Sequence, residues 1–191
     1  MNFLAHLFLS GNDDELKIGN FIGDFVKGRD LSAYPARVQD GIRLHRSIDE
    51  YTDSHPMVMN SKVRLRPSYH KYSPVIVDMF YDHFLASLWD NYSQMPVEEF
   101  IEETHKLLSS RINIMPERSR FMLPYMINGN WLLGYRELSG LQRSLAGMSK
   151  RSRFQSNMEY ATTDLEQDYE KYKLEFQAFF PELIKFVRSY N

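Results

Sequence analysis

No cysteine occurs in the 191 residues, which excludes a disulfide framework, thiolate metal sites and a cysteine nucleophile together. No apolar run approaches the length of a membrane span, so no membrane partner is expected. The segment 1–17, MNFLAHLFLSGNDDELK, is briefly apolar. It has neither a basic leader nor a small-residue cleavage site, and is read as structure rather than as a targeting signal, with the cytoplasm as the expected location. Also missing are a glycine-rich phosphate loop, a period-two strand of convincing length, internal repeats and any known nucleic-acid motif. With a formal net charge of −2, nucleic acid is not an expected partner.

What is present points to helices. A hydrophobic content of 43% with 14% aromatic residues is too high for a disordered chain and is enough for a core. Residues 101–112 and 164–180 repeat apolar positions at three- and four-residue steps, placing them on helical stripes. Pro74, Pro96, Pro116 and Pro181 stand where a first-turn proline would open a helix, the last three shortly before acids that favour a helix N-terminus. Gly11, Gly41, Gly129, Gly140 and Gly147 are expected to mark breaks. The expected fold is all-α, a bundle of roughly seven to ten helices forming one domain over residues 1–191. Charge is uneven: 61–71 (SKVRLRPSYHK) and 143–153 are basic without an acid, whereas 98–103 and 159–175 are acidic. The folded surface is therefore expected to carry basic and acidic sides, unless these are only solvated helix faces.

Two segments concentrate metal-competent side chains. GIRLHRSIDEYTDSHP (41–56) carries His45, Asp49, Asp53 and His55, and at about 100° per residue Asp49 falls roughly 40° and Asp53 roughly 80° from His45, on one face. His55 precedes Pro56, where the helix should end. The second segment, VDMFYDHF (77–84), places Asp78 and Asp82 four apart, with His83 adjacent. Carboxylates in such apolar company are costly to bury unless paired, protonated or metal-bound, so the two helices are expected to converge on a divalent cation, without sulfur ligands. The alternative is that each aspartate sits on the polar side of its helix. His6 reads by itself as a satisfied core histidine, and Asp24 equally as a helix-end carboxylate or a ligand. Arg43 and Arg46 would receive a phosphate or pair with the aspartates.

The blocks MNFLAHLFLS, GNFIGDFVKG, GIRLHRSIDEYTDSHP and VDMFYDHFLASLW together resemble the acyl carrier protein phosphodiesterase family, in order and over essentially the whole chain. The resemblance implies kinship with the helical HD-type metal phosphohydrolases and a divalent ion, manganese by preference with magnesium or iron as alternatives. It further implies removal of 4′-phosphopantetheine from holo acyl carrier protein. It departs from the HD pattern in one respect: no His-Asp dipeptide is present, only Asp82-His83 in reverse order. On this reading Asp24, His45, Asp49, Asp78 and Asp82, with His6, are the candidate metal ligands, and Arg43, Arg46 or Arg66 would take the phosphate charge. His83 or His55 would be the general acid, although His83 points about 100° from Asp82 and would otherwise orient a ligand. Residues 61–71 would steer the acidic carrier protein. Two other readings stay open: a phosphohydrolase of the same architecture acting on a nucleotide or other small phosphodiester, and a non-enzymatic helical binding module. The oligomeric state is not legible.

Overall fold

The computed structural model describes residues 1–190. It is all-α, as expected, with no strand among the described residues. The helices are α1 Phe3–Leu9, α2 Asp14–Ile22, α3 Ala36–Ser54, α4 Pro56–Tyr69, α5 Ser73–Ser87, α6 Val97–Ser110, α7 Glu117–Asn128, α8 Trp131–Gly134, α9 Leu138–Arg151, α10 Ala161–Gln167 and α11 Tyr169–Tyr190. No helix among them is long and apolar enough to cross a membrane.

Local chemistry sets most boundaries. Asp13 caps α2 by accepting from the Leu16 N–H at 2.9 Å, and Asp14 and Glu15 follow in its first turn, where carboxylates meet the positive end of the helix. Pro56 opens α4 and His55 caps it. Pro74 lies in the first turn of α5, and Pro96 and Pro116 stand immediately before α6 and α7. Pro181 does not open a helix: it lies inside α11. Buried Phe176, Phe179 and Phe180 before it and Leu183 and Val187 after it hold both halves against one core, offsetting the proline penalty of about 3 kcal/mol. The stripe at 164–180 is in turn interrupted at Asp168, which separates α10 from α11.

The axis of the molecule is α5, whose residues from Met79 to Ala86 are all buried. A helix buried on every side over two turns belongs in the middle of a core. Its rings meet those of α11, with Tyr81 and Phe84 5.5 and 5.8 Å from Phe176 and Phe80 5.2 Å from Tyr172.

The crossing of α2 and α3 sets up the site. Gly41 does not break the chain but sits within α3, and a Cβ there would meet the Leu16 carbonyl oxygen at 2.2 Å and the Gly19 Cα at 2.8 Å. Only paired glycines allow the two backbones to approach this closely. Gly140 and Gly147 likewise lie within α9.

Candidate metal centre

The close α2–α3 crossing brings the C-terminal end of α2 and the 3-10 turn Gly23–Phe25 against the middle of α3, and α1 adds its own histidine. His45 and Asp49 are one turn apart on α3. His45 Nε2 lies 3.2 Å from Asp49 Oδ2 and 3.3 Å from Asp24 Oδ1, and His6 Nε2 lies 3.2 Å from Asp49 Oδ1. The donor atoms of His6, His45 and Asp49 all fall within 4.8 Å of one another, and the two imidazoles stack at 4.0 Å. Asp24 comes this close because residue 23 is glycine: a Cβ there would meet the His45 ring at 2.3 Å.

Asn20, fully buried, fixes both rings. Its side-chain N–H groups donate to the His6 carbonyl at 2.8 Å and to Ser10 Oγ at 2.9 Å, which turns its Oδ1 toward His6 Nδ1 at 2.7 Å. Its backbone carbonyl accepts from His45 Nδ1 at 2.8 Å. Both Nδ1 atoms therefore carry hydrogens, and both Nε2 atoms face the carboxylates. This is the arrangement in which an outer hydrogen-bond partner fixes the tautomer of a metal-binding histidine.

The electrostatics match. Burial, reinforced by the adjacent His45, lowers His6 to about 4, so at neutral pH its Nε2 is an unprotonated, buried atom without an aligned hydrogen-bond partner. Burial also pulls His45 down, but hydrogen bonds to Asp24 and Asp49 outweigh it and raise the ring to about 9. Burial opposes ionisation of Asp49, yet His45 and His6 hold its carboxyl far below the ordinary range. Two nitrogen donors and a carboxylate, with a second carboxylate at Asp24 and one donor atom left orphaned, form a set that a divalent cation satisfies. The residues present fit the ion. Of the set, Asp24 and Asp49 line a cleft of about 280 Å³ together with Asp53, Asp78 and Pro74, while both histidines lie buried behind them.

A family model described as acyl carrier protein phosphodiesterase matches residues 1–183. The chain belongs to the acyl carrier protein phosphodiesterase family. A relative of that name from Enterobacter sp. (strain 638) is 36% identical over 185 residues, 96% of each chain. One from Klebsiella pneumoniae subsp. pneumoniae is 32% identical over 190 residues, 99% of this chain and 98% of the relative. One from Photorhabdus laumondii subsp. laumondii is 32% identical over 186 residues, 97% and 94% respectively. No solved structure matches the chain.

In this member of the acyl carrier protein phosphodiesterase family the expected site residues separate into groups. His6, Asp24, His45 and Asp49 come together. Asp78 lines the same cleft but engages the Met1 ammonium at 3.0 Å. Burial alone would discharge that ammonium, but Asp78 and Asp49 outweigh it and hold it charged. Asp82 is not among the donors. It is buried on α5, where it accepts from the Leu4 and Ala5 N–H groups at 2.8 and 3.2 Å and caps α1. The convergence expected of α3 and α5 is thus made by α3, α1 and the Gly23–Phe25 turn, because the N-terminus of α1 satisfies the α5 carboxylate that seemed to need an ion.

Neither expected general acid reaches the cleft. His83 is buried between the Tyr135 carbonyl, 2.8 Å from Nδ1, and the Tyr169 hydroxyl, 3.0 Å from Nε2. His55 lies 3.1 Å from Glu182 and against the Phe179 ring.

The expected phosphate arginines are also elsewhere. Arg43 donates to Asp40 and Gln39 along its own helix, and Arg46 clasps the Val26 and Gly28 carbonyls. Arg66 lines a separate groove of about 360 Å³ with Lys62, His70 and Lys71, which meets the carboxylate cleft at Pro74. Within the basic run, Arg64 is held by Glu175 at 2.6 and 3.0 Å and Lys62 by Asp53 at 2.6 Å. Asn20 escapes detection in the sequence: an uncharged amide inside LKIGNFIGDF has neither the charge nor the periodicity that singled out the other residues.

Proposed function

We propose that this protein is a metal-dependent phosphodiesterase that hydrolyses 4′-phosphopantetheine from holo acyl carrier protein, leaving the apo form. The full-length kinship with acyl carrier protein phosphodiesterases carries the reading, and the donor cluster supports the metal requirement. His6, His45 and Asp49, with Asp24, would hold the ion, manganese by preference, with magnesium or iron as alternatives. When bound, the ion would supply Lewis acidity toward the phosphoryl oxygens and would lower the pKa of water.

In the reaction a water oxygen bonds to phosphorus, the bond from phosphorus to the carrier serine oxygen breaks, and that oxygen takes up a proton. Asn20 keeps both imidazoles in the donor tautomer throughout. Burial raises the Asp78 carboxyl above the ordinary range, and from the wall of the cleft it would deliver the proton, the role the sequence assigned to His83 and His55. Carrier proteins are acidic as a class, and the groove of Arg66, His70 and Lys71 offers positive charge beside the cleft, which supports it as the docking face. A cytoplasmic location belongs to the same proposal and rests on the cysteine-free sequence.

The test is mass spectrometry of holo acyl carrier protein incubated with the protein and Mn²⁺. Loss of the phosphopantetheine mass, abolished by chelator, is the expected result. Rapid cleavage of small phosphodiesters with holo carrier protein left intact would instead favour the nucleotide or small-substrate reading.

A further inference from the structure

The basic stretch 143–153 has no role in the donor cluster, and the structure places part of it around a second cavity. This cavity, of about 670 Å³, lies among α7, α8 and α9, and Asn2, Asp24, Met79 and Met148 line both it and the carboxylate cleft. The two spaces therefore adjoin at the edge of the candidate metal centre. Its volume falls in the range of small-molecule sites.

The lining has two characters. Trp131, Met122, Met79 and Met148 give an apolar wall, while Arg118, Arg143 and Arg151 stand at its exposed side. None of these three arginines has an ion pair or a side-chain hydrogen bond among the described residues. Arg37, Arg43, Arg64 and Arg136, by contrast, are held by Asp13, Asp40, Glu175 and Glu98. Unpaired donors beside an apolar trough suit a linear ligand with both amide carbonyls and branched methyl groups, with its phosphate at the neighbouring cleft.

We propose that this cavity seats the pantetheine arm of the holo carrier protein, so that the phosphate rests at the metal centre while the arm lies along α9. The inference rests on the functional reading above. The arm and the carrier protein would enter the cleft by different walls, the arm past Asn2 and Met148 and the protein from the groove at Pro74.

Gly147 provides a direct test. A Cβ there meets nothing closer than Arg151 Nη1 at 3.4 Å, so Gly147→Leu puts bulk into the cavity without forcing helices apart. Binding of pantetheine, which carries no phosphate, is measured by calorimetry on Mn²⁺-loaded protein, together with its inhibition of prosthetic-group release. Pantetheine should bind the wild type and compete with holo carrier protein, and Gly147→Leu should weaken its binding and raise KM for holo carrier protein, each by about tenfold. The double variant Arg143→Ala/Arg151→Ala, altered only at exposed side chains, should do the same, which keeps the test decisive if Gly147→Leu fails to fold. Release by the wild type, with pantetheine neither binding nor inhibiting and KM unchanged in both variants, would overturn the arm site alone. No release by the wild type would overturn the functional reading and the arm site together.

Discussion

Replacing Asn20 with alanine tests how the proposed metal centre would be held. The substitution removes three side-chain contacts: with His6 Nδ1 at 2.7 Å, the His6 carbonyl at 2.8 Å and Ser10 Oγ at 2.9 Å. All are buried. A lost hydrogen bond costs about 1 kcal/mol, and a buried group left unmet costs about 1–3 kcal/mol, which together put Asn20→Ala at about 3–5 kcal/mol. For a chain of 191 residues this corresponds to a fall in Tm of about 10 °C. Freed from Asn20, the His6 ring is no longer tied to one tautomer, and Mn²⁺ affinity should fall about 10- to 100-fold. Asn20→Asp keeps an acceptor for His6 Nδ1 but loses both donors, so it should lose stability while retaining affinity closer to the wild type. Thermal unfolding and a titration of the free Mn²⁺ signal by electron paramagnetic resonance read the two effects separately. A folded Asn20→Ala protein with wild-type Mn²⁺ affinity would refute the positioning role and leave Asn20 a packing residue.

Asp49→Ala should abolish Mn²⁺ binding and turnover beyond recovery by excess metal, because it removes the carboxylate that both histidines face. Asp82→Ala should instead lower stability by about 1–3 kcal/mol, the cost of leaving the α1 N–H groups unmet, with turnover restored by excess Mn²⁺; equal behaviour of the two variants in a metal titration would contradict the separation of their roles. In chelator, His45 is stabilising while protonated. Its folded pKa, about 9 against 6.5 for the free side chain, means that this contribution is complete below pH 6.5 and disappears as pH rises to about 9. The Tm difference between wild type and His45→Gln should shrink across that window, from a stabilisation of no more than about 3 kcal/mol, and a flat difference would disprove it. Arg64→Glu should destabilise the fold through its place opposite Glu175, whereas Arg66→Glu should leave Tm unchanged and raise KM for the carrier protein, both measurable by thermal melts and steady-state kinetics.

The helical class was legible because stripes, prolines and the acids that follow them agree along the chain, as at Pro96 before α6 and Pro116 before α7. The division at Asp168 was not, since a polar residue on a periodic run looks like any solvated position. At the centre, the four-residue spacing of His45 and Asp49 survives folding because it is local geometry. The Asp78/Asp82 pair has the same spacing, yet its surroundings are fixed by α1, which lies far away in sequence. A buried carboxylate announces a need for compensation without naming its source, and here a helix N-terminus supplies it. Asn20 and the glycines at 19, 23 and 41 act through close approach and hydrogen-bond direction, which leave no mark in charge or hydropathy.

The cap on α1 bears on how the centre assembles. Seven residues are too few for a helix to persist in water on its own, and α1 carries His6. The carboxylate that secures its first turn lies 78 residues downstream of Leu4. During synthesis a nascent chain would hold His6, Asp24, His45 and Asp49 outside the ribosome well before it could orient the first of them, so the proposed centre would be complete only once α5 has emerged.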